Sequence, residues 1–140
     1  MRVVFVGPPG SGKGTQARLL HERLGLTYIG TGDVLREAVT QGTKLGRAAS
    51  PYIDQGRLVP DELVNDLVSE LLHRRDHPER FVLDGYPRNA AQAGTLDGVL
   101  NEIDLPLRAV VLFQVDDEVV VKRMMARQRA DDSEVTARLR

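Results

Sequence analysis

The sequence predicts an α/β fold in which a parallel sheet is flanked by helices on both faces. Short β-rich apolar runs alternate with longer amphipathic stretches, a glycine-rich turn joins the first run to the first helix, and no internal repeat or low-complexity linker interrupts that order. Strands connected through helical crossovers run parallel and need cover on both faces.

Val3–Val6 is the first strand and stops at Gly7-Pro8-Pro9-Gly10. A helix is expected from about Gly12 to Leu24, with Ala17, Leu20 and Leu24 at helical spacing and Gly25 as its terminator. Thr27–Ile29 reads as a short second strand. Polar-rich helices follow over roughly Gly32–Gln41 and Leu45–Gln55, punctuated by Gly42 and Gly56. Asp61–Arg75 carries the clearest helical pattern: Pro60 precedes it, acids fill its first turn, and Leu63, Val64, Leu67, Val68, Leu71 and Leu72 form one apolar face. From about Thr31 to Leu72 the pattern reads as four helical segments without a strong strand, and so as an inserted helical subdomain. Phe81–Leu83 is the third strand, and Asn89 caps a helix to about Asn101. Ala109–Val115 is the most apolar strand, Asp116 caps a helix to roughly Arg127, and a last helix begins near Asp132.

At 140 residues the chain fits one domain. Hydrophobic residues at 41% and charged residues at 28% give a globular balance. Nineteen Lys and Arg against twenty Asp and Glu leave a net charge of -1, which argues against a general nucleic-acid binder. With no cysteine there is no disulfide, no thiolate chemistry and no Cys-ligated zinc; no zinc is expected. The longest apolar run, Ala109–Phe113, is too short to cross a bilayer, and the N-terminus is not a secretory signal. We therefore expect a cytoplasmic protein with neither membrane nor nucleic-acid partners.

The strongest chemical signal is Gly7-Pro8-Pro9-Gly10-Ser11-Gly12-Lys13-Gly14-Thr15. Glycines let such a loop curl its N–H groups toward phosphate oxygens, and the following helix adds its positive end. Lys13 can reach the β- and γ-phosphates, and Thr15 can place a hydroxyl near magnesium. The generic motif wants Ser or Thr directly after the lysine, whereas here Gly14 intervenes. A strand before and a helix after favour phosphate binding over a plain glycine turn.

Together with that loop, four segments resemble the adenylate kinases among the P-loop nucleoside monophosphate kinases. They are Gly30-Thr31-Gly32-Asp33-Val34-Leu35-Arg36, Gln55-Gly56-Arg57-Leu58-Val59-Pro60-Asp61-Glu62, Leu83-Asp84-Gly85-Tyr86-Pro87-Arg88 and Arg129-Ala130-Asp131-Asp132. Their order and spacing match along the whole chain. The resemblance implies a three-layer P-loop fold with a helical AMP-binding insertion, and reversible, Mg2+-dependent transfer of the γ-phosphoryl of ATP to AMP. It implies a nucleotide core over 1–30 and 73–127, an AMP subdomain over 31–72, and over 128–140 a vestigial lid with the start of a C-terminal helix.

The family's roles carry over residue by residue. Gly10, Ser11, Gly12, Lys13, Gly14 and Thr15 hold ATP phosphates, joined by Arg123 and Arg127, which are four apart near a helix end. Arg36 and Arg88 clamp the AMP phosphate, Thr31 and Gln92 take the base, and the backbone at Val59 and Gly85 approaches AMP. Gln92 follows Arg88 by four, which places both on one face of a helix. Asp84, with Asp33, orients magnesium-bound water. Arg129 and either Arg138 or Arg140 clamp from the lid, ungapped spacing favouring Arg140. Lys13, Arg88, Arg123, Arg129 and Arg140 form the catalytic set. Pro87 looks like the family's cis proline. Arg57 reads as a solvated turn cation, and His73 with His77 as a solvated helix end rather than a metal pair.

Two departures from the family stand out. Only Gln128 separates Arg127 from Arg129, where relatives carry a lid segment, so poor closure and phosphate leakage to water are expected. The family's final strand is absent before Arg140, so Ala109–Val115 should be an exposed apolar edge. Family members are typically monomers, but such an edge could pair with another chain. The competing functions are a UMP/CMP kinase, against which Thr31 and Gln92 argue, and a non-catalytic nucleotide-binding module.

Overall fold

The computed structural model describes residues 1–127, without the side chain of Arg127. Its elements follow in the order β1 (Arg2–Val6), α1 (Lys13–Leu24), β2 (Thr27–Gly30), α2 (Thr31–Gln41), α3 (Lys44–Asp54), α4 (Asp61–His73), β3 (Phe81–Asp84), α5 (Ala90–Glu102), β4 (Ala109–Leu112) and α6 (Asp117–Arg127). The strands form one sheet in the order β2-β3-β1-β4, and every neighbouring pair is parallel. A doubly covered parallel sheet is the expected outcome, and the strand alternation shows how it is built. Val3 and Phe5 point to one face with Val82, where Ala17 and Leu20 of α1 meet them. Val4, Phe81 and Leu83 point to the other, against Val64, Val68 and Leu72 of α4 and Leu96, Val99 and Leu100 of α5.

The cover stops at the β4 edge. Val110 and Leu112 are 61% and 60% exposed, so two-sided burial holds for β1 and β3 and fails for β4. The strand also ends at Leu112 rather than Val115, because Phe113, whose N–H still donates to Val6 O, turns inward onto Phe5 with ring centroids 4.9 Å apart.

Three helices, not four, occupy 31–72. The stretch from Arg57 to Pro60, between α3 and α4, carries no helix. Helices α2 and α3 share a small core of Leu35, Ala38 and Ala49, to which α4 adds Leu67. That core needs a close approach at Gly46: a Cβ there would lie 2.1 Å from the Ala38 carbonyl oxygen. Helix α4 thus serves two cores at once. It ends at His73 instead of Arg75, where His73 Nε2 lies 2.9 Å from Glu102 Oε2 and Arg74 turns to extended backbone. On α4 and α1 the apolar stripes are narrower than the sequence suggests, with Leu63 and Leu71 half-buried and Leu24 exposed.

Candidate active site

All the chemistry collects at the C-terminal ends of β1 and β3, where parallel sheets present their ligand crevices. Beyond Val6 the chain curls, with Gly10 at φ +78° and Gly12 at φ +99°, and Ser11 N–H donates to Pro8 O at 3.2 Å. Helix α1 then starts with no side-chain cap and no acid in its first turn. The positive end of the helix therefore faces this loop with no acid to offset it. A second observation points the same way: Ser11 Oγ is buried and has no hydrogen-bond partner among the described residues. Buried hydroxyls are rarely left so, and a phosphate oxygen above the loop would satisfy it.

Lys13 Nζ donates to Pro8 O at 2.9 Å and lies 3.9 Å from Asp84 Oδ1. The other carboxylate oxygen of Asp84 accepts from Tyr28 OH at 3.0 Å. Burial, then the Asp84 charge, push the Tyr28 phenol far above its ordinary value, so it stays a donor at neutral pH. Gly14 faces the same pair, its Cβ position 3.9 Å from both Asp84 Oδ2 and Tyr28 OH, while Thr15 is exposed in the first turn. From α6, Arg123 reaches back to donate to Gly10 O at 3.1 Å. Val120 and Met124 bury themselves beneath it against the loop.

The second half of the site begins at Gly85. Its φ of +89° and its closeness to Thr31, whose Oγ1 would lie 2.7 Å from a Cβ, leave no room for a side chain. Thr31, buried at the start of α2, donates to Asp84 O at 3.4 Å. The Tyr86–Pro87 peptide is cis, as the motif suggests. Arg88 lies ahead of α5 rather than on it, so the shared helix face expected for Arg88 and Gln92 does not exist. They meet differently: Arg88 N–H donates to Gln92 Oε1 at 2.7 Å, and Arg88 Nε donates to Gly85 O at 3.0 Å. Gln92 is buried, and its Nε2 donates to Asp61 Oδ1 at 2.8 Å. Asn89, the cap of α5, accepts from Gln92 N–H and donates to Asp61 Oδ2 at 2.8 Å.

Arg36 and Asp33 pair with each other on the exposed side of α2. The Asp33 charge nonetheless adds to that of Asp84 in raising the Tyr28 phenol. Val59 is half-buried where the two cores meet. Arg57 stacks its guanidinium 5.6 Å from the Tyr52 ring. The Arg127 side chain, Gln128, Arg129, Asp131, Asp132, Arg138 and Arg140 lie outside the described residues, and with them the lid. Among the described residues no three His, Asp or Glu gather as a metal site, and no helix is long and apolar enough to cross a membrane. Sequence reasoning missed Tyr28, Asp61 and Asn65. Asp61 is visible there as a first-turn acid within the Gln55–Glu62 segment, with no role of its own, and Tyr28 only as a strand residue.

The adenylate kinase family model matches residues 5–140. The chain belongs to the adenylate kinase family. Relatives in that family include the adenylate kinase of Corynebacterium aurimucosum, 49% identical over 140 residues that cover 100% of this chain and 77% of the relative. Adenylate kinase 1 of Synechocystis sp. is 49% identical over 138 residues, 99% of this chain and 74% of its own. The adenylate kinase of Thermobifida fusca is 47% identical over 144 residues, 100% and 76% of the two chains. Membership in the family accounts for the parallel sheet, the loop ahead of α1 and the helical insertion as one inherited architecture.

Proposed function

We propose that the chain transfers the γ-phosphoryl group of ATP to AMP, reversibly, yielding two ADP. One observation carries the reading: a buried hydroxyl without a partner, Ser11 Oγ, lies in a glycine loop beside Lys13 and Asp84, 3.9 Å apart. Two nucleotides bring polyanions together, and unit charges about 5 Å apart repel by roughly 3 kcal/mol per pair at an effective dielectric near 20. Neutralising that repulsion and fixing the in-line approach is most of the catalysis, because the transferred group needs little covalent help.

In this reading Gly10 to Thr15 cradle the ATP phosphates, and Lys13 follows the γ-phosphoryl as its charge spreads. Arg123, anchored on the loop through Gly10 O, supplies a second cation from α6. Arg88 and Arg36 receive the AMP phosphate, bidentate guanidinium groups suiting that geometry. Thr31 and Gln92 take the base, and the backbone at Val59 and Gly85 approaches AMP. The nucleotide core is 1–30 and 73–127, and the acceptor subdomain is 31–72. Adenylate kinases use ATP with Mg2+. The donor set fits such an ion: Asp84 is a hard oxygen donor held by Tyr28 and Lys13, placed to bind it through water. When bound, the ion neutralises charge on the ATP phosphates. ATP and AMP are the substrates; residues 128–140, with Arg129 and Arg140, complete the cation cage.

The test is a coupled assay with ATP and AMP, UMP or CMP as acceptor. ADP formation with AMP, at least tenfold faster than with either pyrimidine, is the expected outcome. Equal use of all three, or nucleotide binding without turnover, rejects the assignment.

A further inference from the structure

The carboxamide of Gln92 is held at both ends inside the protein, which poses a problem for any base it is to recognise. Its Oε1 accepts from Arg88 N–H at 2.7 Å, and its Nε2 donates to Asp61 Oδ1 at 2.8 Å. A carboxamide has two N–H donors and two acceptor lone pairs, so one of each remains. The two internal bonds therefore settle which end of the group is oxygen and which nitrogen. They also leave one donor and one acceptor of the group for a base edge. Among the described residues only the Asp61 carboxylate accepts from Nε2, so it holds the nitrogen end as Arg88 N–H holds the oxygen end. Its second oxygen accepts from Asn89 Nδ2 at 2.8 Å, and Asn89 Oδ1 in turn accepts from Gln92 N–H at 2.8 Å. Asp61 of α4, Asn89 at the cap of α5 and Gln92 in its first turn thus close a ring of hydrogen bonds through one carboxylate. A carboxylate alone can accept at both corners; an amide there would turn a donor toward one of two existing donors.

We infer that Asp61 is a positioning residue for the acceptor base: from the first turn of α4 it orients the Gln92 carboxamide, and through it sets the preference for adenine over uracil, whose N3–H and O4 present donor and acceptor in the reverse order. The inference rests on the proposed placement of the AMP base at Gln92. Asp61 touches no nucleotide itself; it acts through Gln92. Because Asp61 opens α4 in the insertion while Gln92 lies on α5 beside the sheet, the reading group forms only when those two helices are in register.

Three variants, Asp61→Ala, Asp61→Asn and Gln92→Leu, and the double variant Asp61→Ala/Gln92→Leu test this in the full chain. Steady-state kinetics is measured with AMP and UMP, AMP binding by calorimetry, and thermal midpoints alongside. Asp61→Ala should raise KM for AMP about tenfold, with kcat within threefold and KM for ATP unchanged. Its AMP-over-UMP preference should fall by a similar factor. Asp61→Asn, retaining one acceptor, should fall between it and the parent, and the double variant should be no worse than Gln92→Leu. A lowered thermal midpoint with the AMP constants and the preference intact would overturn the inference, as would additive effects in the double variant. If the parent makes no ADP, the proposed function fails; calorimetry with AMP still decides the inference, a tenfold weaker Kd in Asp61→Ala supporting it and an unchanged Kd or no AMP binding defeating it. If Gln92→Leu alone leaves AMP binding and preference untouched, the placement of the base is wrong and the role of Asp61 falls with it.

Discussion

Asp84 is gripped by a lysine on one oxygen and a tyrosine on the other, and the division of labour between those partners is chemical. In the proposed reaction Lys13 exchanges Pro8 O and Asp84 for a phosphate, while Tyr28 remains as the donor that holds the carboxylate. Lys13→Ala should lower turnover on the order of 100-fold or more, the range seen when a donor to developing negative charge is removed. Its thermal midpoint should stay near that of the parent, measured by circular dichroism. A second prediction concerns Tyr86, buried beneath the acceptor side with its hydroxyl donating to Asn65 Oδ1 at 2.7 Å. Burial, reinforced by the Asp61 charge, pushes its phenol up to about 12. In the unfolded chain that phenol ionises near 10, as an ordinary tyrosine does. Between those values unfolding releases a proton, so stability must fall as pH rises from 10 toward 12. Urea midpoints measured across that window should decline less steeply in Tyr86→Phe; parallel curves would assign the decline elsewhere. Lys13, Asp84 and Arg88 were legible from the sequence because their motifs fix them. Tyr28 and Asp61 were not, since each acts on a residue far away in the chain.

At the scale of elements, most helix boundaries follow from local chemistry. Gly25 closes α1 at φ +68° and Asn89 caps α5 by accepting Gln92 N–H, both readable without a fold. Errors arose where tertiary contact overrode pattern. Phe113 looks like strand but is drawn onto Phe5, and Arg88 looks helical by spacing but lies in the turn that follows a cis peptide. The packing of α2 on α3 was equally hidden, although it turns on one position. Gly46→Ala would drive a methyl into the Ala38 backbone, a rigid neighbour that cannot swing aside. We expect a loss of about 3 kcal/mol, the upper part of the overpacking range. Chemical denaturation should show it, and a change below 1 kcal/mol would mean that the two helices slide apart at little cost. KM for AMP should rise with it, because Thr31 and Arg36 ride on α2.

For the whole molecule, composition and alternation gave the class of fold, and the parallel sheet needed no more than the rule for helical crossovers. Strand order did not follow from them: that β3 inserts between β1 and β2 is what brings Asp84 beside both Lys13 and Tyr28. The exposed β4 edge was expected, and the structure bears it out in Val110 and Leu112. What the pattern could not reveal is that the insertion and the sheet have a helix in common. Leu67 of α4 belongs to the small core, whereas Val64, Val68 and Leu72 belong to the large one. Neither can lose its order while the other keeps a dry interior. Heating should therefore produce a single endotherm whose calorimetric and van't Hoff enthalpies agree. A separate low-temperature event confined to the α2–α3 pair would show instead that α4 stays docked on the sheet after its smaller neighbour has melted.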